Sequence, residues 1–234
     1  MLGIIGAMDN EVAKLKEMMS DVEIVDRSGM EFYHGKLEGK EVVVVQSGIG
    51  KVNATICTQA LIDNFEVTAI INTGVAGALR PEIEIGDIII STDAIEHDMN
   101  VMPLGYERGI IPGMETSIFV ADDDLIELTK KCVKETVDVN VFEGRVVSGD
   151  LFVSEQKIKD KLSEEFNGYC AEMEGAAIAH CACVNKVPFV VIRAISERVD
   201  SSADVDYPTF ENMAIENSVK ILVDIVKNYE PISA

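Results

Sequence analysis

The sequence predicts an α/β fold with a mixed central sheet and helices on both sides. Two observations carry this. Short apolar runs fit for buried strands (Leu2 to Ile5, Val67 to Ile71, Phe189 to Ile195) interleave with longer amphipathic helical stretches (Asp122 to Thr136, Thr209 to Lys227). Three early strands, Val22 to Val25, Glu31 to His34 and Glu41 to Val45, are joined by glycine-containing turns and read as hairpins, so the sheet is mixed rather than all parallel. No repeat, linker or low-complexity stretch breaks the 234 residues, 47% of them hydrophobic, so one domain spanning 1–234 with a substantial core is expected.

Leu2 to Ile5 is the first strand. Gly6-Ala7 turns out of it, and Asp9 or Asn10 caps a helix whose Val12, Leu15, Met18 and Met19 share a face. Glu11 lies in the first turn of that helix, just past the carboxyl end of a strand, where open α/β sheets bind ligands. An acid there also complements the helix dipole and needs no other role. Ser47-Gly48-Ile49-Gly50-Lys51 opens a helix that runs to about Phe65. It is not a phosphate loop: GxxxxGK[ST] requires glycine where Val45 stands and a hydroxyl where Val52 stands, and Gly3 to Gly6 does not complete GxGxxG. Such a turn still offers backbone to an anion or a ligand edge.

Val67 to Ile71 ends in Asn72-Thr73-Gly74-Val75-Ala76-Gly77, where missing side chains let backbone approach a ligand or another strand. Ile88 to Ser91 begins a further strand. Glu96 to Pro112 is irregular, and its Met99, Met102, Pro103, Leu104 and Tyr106 mark a partner surface or a lid. Gly144 to Ser148 is a strand leading into Gly149-Asp150-Leu151-Phe152-Val153, and Ile158 to Phe166 is helical.

The densest chemistry lies between Ala171 and Asp200. Glu172-Met173-Glu174 precedes a helix of small residues, Gly175 to Cys183, and Pro188 ends the helical run before the strand Phe189 to Ile195. Both faces of that strand are apolar except for Arg193, so it is central and buried. A guanidinium in such a strand requires a carboxylate partner. Glu172, Glu174 and Glu197 all stand at the ends of these two buried elements.

Composition excludes several classes. Twenty basic against 41 acidic side chains give a net charge of −21, which argues against nucleic acid or an anionic membrane as partner. The five cysteines form no disulfide framework and suggest a reducing compartment. His180, Cys181 and Cys183 match no common zinc spacing, so no metal is expected. The first residues are too short and uncharged for a signal peptide, and no apolar run approaches the roughly 20 residues of a membrane span. A cytoplasmic protein is expected.

Six motifs occur in order: Gly3-Ile-Ile-Gly-Ala-Met8 with Glu11, Ser47-Gly-Ile-Gly-Lys51-Val52, Ile71-Asn-Thr-Gly74, Val147-Ser-Gly-Asp150, Glu172-Met-Glu174 and Arg193-Ala-Ile-Ser196. Together they resemble the 5′-methylthioadenosine/S-adenosylhomocysteine nucleosidases of the nucleoside phosphorylase superfamily. The resemblance covers nearly the whole chain. It implies a three-layer α/β sandwich with a mixed, partly barrel-like central sheet flanked by helices. It implies a homodimer, hydrolysis of an adenine N-glycosidic bond, and neither cofactor nor metal. By motif position Glu11 would activate water, with Arg193 nearby to supply the pair that the buried arginine requires. Glu197 would protonate the purine. Glu174 would hold the ribose hydroxyls with Met173 against the sugar; Glu172 and Ser196 belong to the same motifs. Phe152 would stack on adenine and the backbone of Val153 would read its edge. Met8, Ile49 and Tyr207 would contact the ribose or the alkylthio tail. Leu104, Tyr106 and Pro112 would reach into the partner subunit's pocket.

Two positions depart from the family pattern. Glu197 stands where aspartate is usual and is one C–C bond longer, ~1.5 Å; it either reaches the purine or turns away to pair with Arg198. Val75 stands where many relatives have serine near the sugar. Two other readings follow from the same residues. A phosphorylase would need basic groups near the first turn, where the chain has Asp9, Asn10 and Glu11. A nucleoside-binding relative without catalysis would follow if the altered acid were inert.

Overall fold

The structure is a computed structural model that describes residues 1–199 and 207–231, with the side chains of 207–211 outside that description. The elements are β1 (Leu2–Gly6), α1 (Asp9–Met18), β2 (Ser20–Arg27), β3 (Met30–Leu37), β4 (Lys40–Gln46), α2 (Lys51–Asn64), β5 (Ala69–Ala78), β6 (Ile88–Glu96), β7 (Phe119–Val120), α3 (Asp123–Thr136), β8 (Val141–Ser148), α4 (Gln156–Phe166), β9 (Gly168–Glu172), α5 (Gly175–Val184), β10 (Phe189–Glu197) and α6 (Tyr207–Asn228).

The strands form one mixed sheet whose order is β10-β6-β8-β9-β5-β1-β4-β3-β2, and β10 also pairs with β5. That extra pairing closes β10, β6, β8, β9 and β5 into a ring, and β1 to β4 run on from it as an open wing. β3 is antiparallel to both β2 and β4, as the hairpin reading expects, whereas β1 is parallel to β4 and β5. Helices α1, α3 and α6 pack together on one face, and α2 and α5 on the other, which makes the three-layer sandwich. Helix α5 is built of small residues because it is buried nearly all round: Ala176, Ala177, Ile178, Ala179 and Ala182 all lie in the core. β10 is buried from Phe189 to Ser196, between β5 and β6. Burying each of its larger apolar side chains contributes about 1.5–3 kcal/mol.

Three features differ from the expectation. The strand expected to end at Ile71 runs on through the glycine motif at 72–77 to Ala78. β9 has only five residues, Gly-Tyr-Cys-Ala-Glu, and no alternation to announce it; it exists because β5 and β8 flank it. β7 is two residues long and, among the described residues, pairs only with β6. Among the described residues no helix is long and apolar enough to cross a membrane.

Candidate active site

The ring and the wing share β5, and the site lies where they part. On one side β5 pairs with β1 only as far as Asn72, opposite Ile5, and with β9 only from Gly77, opposite Ala171. Thr73 to Ala76 therefore have no ladder partner on that side, while β10 stays paired on the other, Gly74 opposite Arg193. A cavity of about 240 Å³ opens along this gap. Its walls come from the exit of β1, the glycine turn before α2, the loop after β8, the β9–α5 junction and the end of β10.

Glu11 reaches this gap from the first turn of α1. One carboxylate oxygen, Oε2, accepts the backbone N–H of Ala7 at 2.7 Å and of Met8 at 2.9 Å, and Oε1 accepts that of Val75 at 3.2 Å. Val75 thus contributes its backbone here, whatever its side chain. Close approach is possible because residue 74 is glycine: a Cβ there would stand 2.6 Å from Glu11 Oε1. Burial raises the proton affinity of Glu11 above the usual carboxylate range, and the charge of Arg193 opposes this only in part.

The carboxylate that pairs with Arg193 is Glu172, not Glu11. Nε and Nη2 of Arg193 donate to Glu172 Oε2, Nη2 also donates to Asn72 Oδ1, and Nη1 donates to the carbonyl of Ile192. Glu172 is saturated by protein. Its Oε2 also accepts N–H of Glu174 at 3.1 Å and of Gly175 at 2.8 Å, and its Oε1 accepts the hydroxyl of Ser148. Burial opposes its charge, but Arg193 and these donors hold it below the usual range. So Glu172 lines the cavity with its oxygens committed, and Arg193 lies beneath the wall rather than in it. Sequence order cannot reveal this choice, because Glu11, Glu172 and Glu174 all place their charge near the guanidinium.

Glu174 is the uncommitted neighbour. Its Oε1 accepts the N–H of Gly50 at 2.7 Å, the one hydrogen bond it takes among the described residues. Burial and the adjacent Glu172 push its pKa up to about 7. The glycine turn does receive anions, but they are the protein's own: Asp150 Oδ1 accepts the N–H of Lys51 at 2.8 Å. The Lys51 ammonium is tied to Glu96 at 2.8 Å and Asp98 at 2.6 Å, away from the cavity. Glu96 in turn contacts His180 Nδ1 at 3.0 Å, so that histidine belongs to an ion network and not to a cysteine cluster.

Glu197 lines the far end of the gap. Its Oε2 lies 3.8 Å from where a Cβ on Gly77 would be. Burial raises its proton affinity, opposed by Lys159, whose Nζ is 3.8 Å from Oε2. It does not pair with Arg198, which contacts Glu84 at 2.6 Å. Glu11 and Glu197 therefore abut Gly74 and Gly77 of the same strand, three residues or roughly 10 Å apart along it.

Met8, Ile49, Val75, Phe152, Val153, Met173 and Ser196 join these carboxylates in the lining. Leu151, Ala7, Ala76, Gly77 and Ala171 also line it and were not singled out; only their neighbours in the motifs pointed to them. Ile49 and Phe152 are more than half exposed at the mouth. Leu104, Tyr106 and Pro112 do not line this cavity and are exposed, Leu104 to 72%. Tyr207 begins α6, and its side chain lies outside the described residues. No lysine, arginine or histidine lines the cavity among the described residues, against four glutamates.

Residues 1–227 match the family model of the phosphorylase superfamily. The 5′-methylthioadenosine/S-adenosylhomocysteine nucleosidase of Staphylococcus carnosus is 40% identical over 229 residues, covering 97% of this chain and 100% of the relative. The chain belongs to this nucleosidase family. The crystal structure of the Neisseria meningitidis nucleosidase in complex with methylthio-immucillin-A has a TM-score of 0.91 to it at 38% identity, covering 97% of this chain and 99% of that one. The structure of the futalosine hydrolase of Helicobacter pylori has a TM-score of 0.90 to the chain at 31% identity, with 97% of both chains covered.

Proposed function

We propose that this chain, as one nucleosidase domain acting in the cytoplasm, hydrolyses the N-glycosidic bond of 5′-methylthioadenosine and S-adenosylhomocysteine. The products are adenine and a 5-substituted ribose, in salvage of S-adenosylmethionine by-products; 5′-deoxyadenosine is a further substrate of the same shape. The observation that carries the reading is a cavity with carboxylates at both ends of one strand gap and no cation in its described lining. A phosphate nucleophile would meet charge of its own sign there, whereas water needs only a base.

In this reading the Glu11 carboxylate takes a proton from water as the oxygen attacks the anomeric carbon. The C–N bond breaks, its electron pair stays on adenine, and Glu197 delivers a proton to a purine ring nitrogen. Three backbone N–H donors hold Glu11 in place without protonating it. The two groups stand beside glycines three residues apart on β5, one carboxylate for the water and one for the leaving group, the division of labour that glycosidases use. Glu174, with an oxygen turned to no protein donor among the described residues, accepts the ribose hydroxyls. Negative charge around the sugar favours its oxocarbenium-like transition state. Phe152 and Val153 take the adenine, and Met8, Ile49, Met173 and Tyr207 take the sugar and tail.

The mouth is apolar and open: Ile49 and Phe152 are 55% and 61% exposed. A homodimer in which Leu104, Tyr106 and Pro112 of the second copy cover it explains both that mouth and the exposed loop. The test is adenine release from 5′-methylthioadenosine in phosphate-free buffer, then with phosphate added. Hydrolysis without phosphate, lost in Glu11→Gln, is expected; release that depends on phosphate overturns the reading in favour of a phosphorylase.

A further inference from the structure

Helix α4 follows the loop that carries Phe152 and Val153, and its buried side is a stripe of Lys159, Leu162 and Phe166. An amphipathic helix places an apolar residue at each such position, so a lysine there needs a reason. Lys159 is 2% exposed. Its ammonium donates to the carbonyl of Arg198 at 2.7 Å, which anchors it just past the end of β10. From that anchor it faces Glu197 Oε2 at 3.8 Å, the single cation within ion-pair distance of Glu197 among the described residues. Between Ile195 and Glu197 the pairing of β10 with β5 shifts register, so that Glu197 stands opposite Gly77. The bulge aims the side chain at the gap, and the ammonium stands beside its tip.

We propose that Lys159 is a positioning residue that tethers the carboxyl of Glu197 at the purine end of the cavity. A glutamate has one more rotatable bond than the aspartate usual at this site, and side-chain freedom must be removed before the group can act as an acid at a fixed point. The buried ammonium removes it by attracting the ionised carboxylate, the form to which the acid returns after each proton transfer, in a poorly solvated setting where a charge pair is stronger than in water; toward the protonated form it keeps a weaker charge–dipole attraction. An aspartate in place of Glu197 would be ~1.5 Å shorter and out of reach of that ammonium. The tether is therefore matched to the glutamate. The inference rests on the nucleosidase reading only for what Glu197 does, not for where Lys159 holds it.

The experiment is a double-mutant cycle read in turnover of 5′-methylthioadenosine. Lys159→Met keeps the stem and removes the charge. It is expected to lower kcat by about 10- to 100-fold, the scale of a ~1 Å misplacement, with KM changed less than about threefold. Lys159→Arg, which restores the charge, recovers part of the loss. In the Glu197→Asp background, Lys159→Met changes kcat less than about threefold. Equal losses in both backgrounds would assign Lys159 a structural role and overturn the tether, as would full kcat in Lys159→Met alone. A crystal structure of Lys159→Met decides independently of turnover: the Glu197 carboxyl leaves Gly77 if the tether is real, and stays if it is not. Should the parent chain release no adenine, the nucleosidase reading fails while this arm still tests the contact.

Discussion

Gly74→Ala tests the close approach on which the site depends. Gly74 has φ +158°, a backbone conformation that L side chains rarely adopt, so alanine there adds backbone strain to the contact made by its methyl group. That methyl would stand 2.6 Å from Glu11 Oε1 and 3.3 Å from Arg193 Nη1. Ordinary contact begins near 3.4 Å, so the carboxylate must retreat by about 0.8 Å. It cannot do so without stretching its bonds to Ala7, Met8 and Val75, of 2.7, 2.9 and 3.2 Å. A displacement near 1 Å of a reacting group costs ~10²-fold in rate, and overpacking costs ~1–3 kcal/mol of stability. The assay is kcat for adenine release from 5′-methylthioadenosine, beside urea unfolding and adenine binding. The expected result is a loss of roughly two orders of magnitude in kcat with a folded protein that still binds adenine. Gly77→Ala, whose methyl would meet Glu197 at 3.8 Å, should lose at least about tenfold less. An alanine at 74 with kcat within about threefold of the parent would refute the claim that this contact fixes the base.

Other outcomes follow from the same geometry. Glu172→Ala strands the Arg193 guanidinium and should cost about 3–5 kcal/mol in urea unfolding, more than Glu174→Ala, since a buried pair broken on one side leaves an unpaired charge. The raised pKa of Glu174, about 7, means that the folded chain keeps a proton that the unfolded chain releases above its ordinary pKa of 4.5. Stability should therefore fall as pH rises from 4.5 to about 7, by on the order of 3 kcal/mol for this group; Glu174→Gln should flatten that slope, and an unchanged slope would place the proton elsewhere. Glu96 has the opposite sign: hydrogen bonds from His180 and Lys51 lower its pKa to about 2 despite burial, so its contribution is lost as pH falls from 4.5 to about 2, and Glu96→Gln should weaken the acid limb of an unfolding series. The proposed homodimer predicts that Leu104→Glu shifts sedimentation from dimer to monomer and raises KM several-fold; an unchanged sedimentation profile would remove that loop from the proposed interface.

Much of the site is legible in the chain alone. A strand apolar on both faces that contains Arg193 demands a carboxylate, and the acids that meet that demand stand beside buried elements in the sequence. Glu11, placed one turn past β1, is found by the rule for ligands at strand ends. What local pattern does not hold is which strand lies across from which. β9 carries no alternation, since Gly168 to Glu172 becomes a strand only when β5 and β8 offer backbone on either side. The strand reads as ending at Ile71 because glycines weaken a strand pattern, yet the glycine motif is strand interior, kept bare so that Glu11 can approach Gly74.

Sequence by itself determined the fold class, the ordered motifs and the inventory of carboxylates, because burial periodicity and turn chemistry are properties of neighbouring residues. Tertiary structure alone decided that the sheet closes on β5, that Arg193 takes Glu172 and leaves Glu11 to three backbone donors, and that a buried Lys159 faces Glu197. Each of those choices is made between residues far apart in the chain, where several partners satisfy the same local chemistry and only the packed backbone selects one.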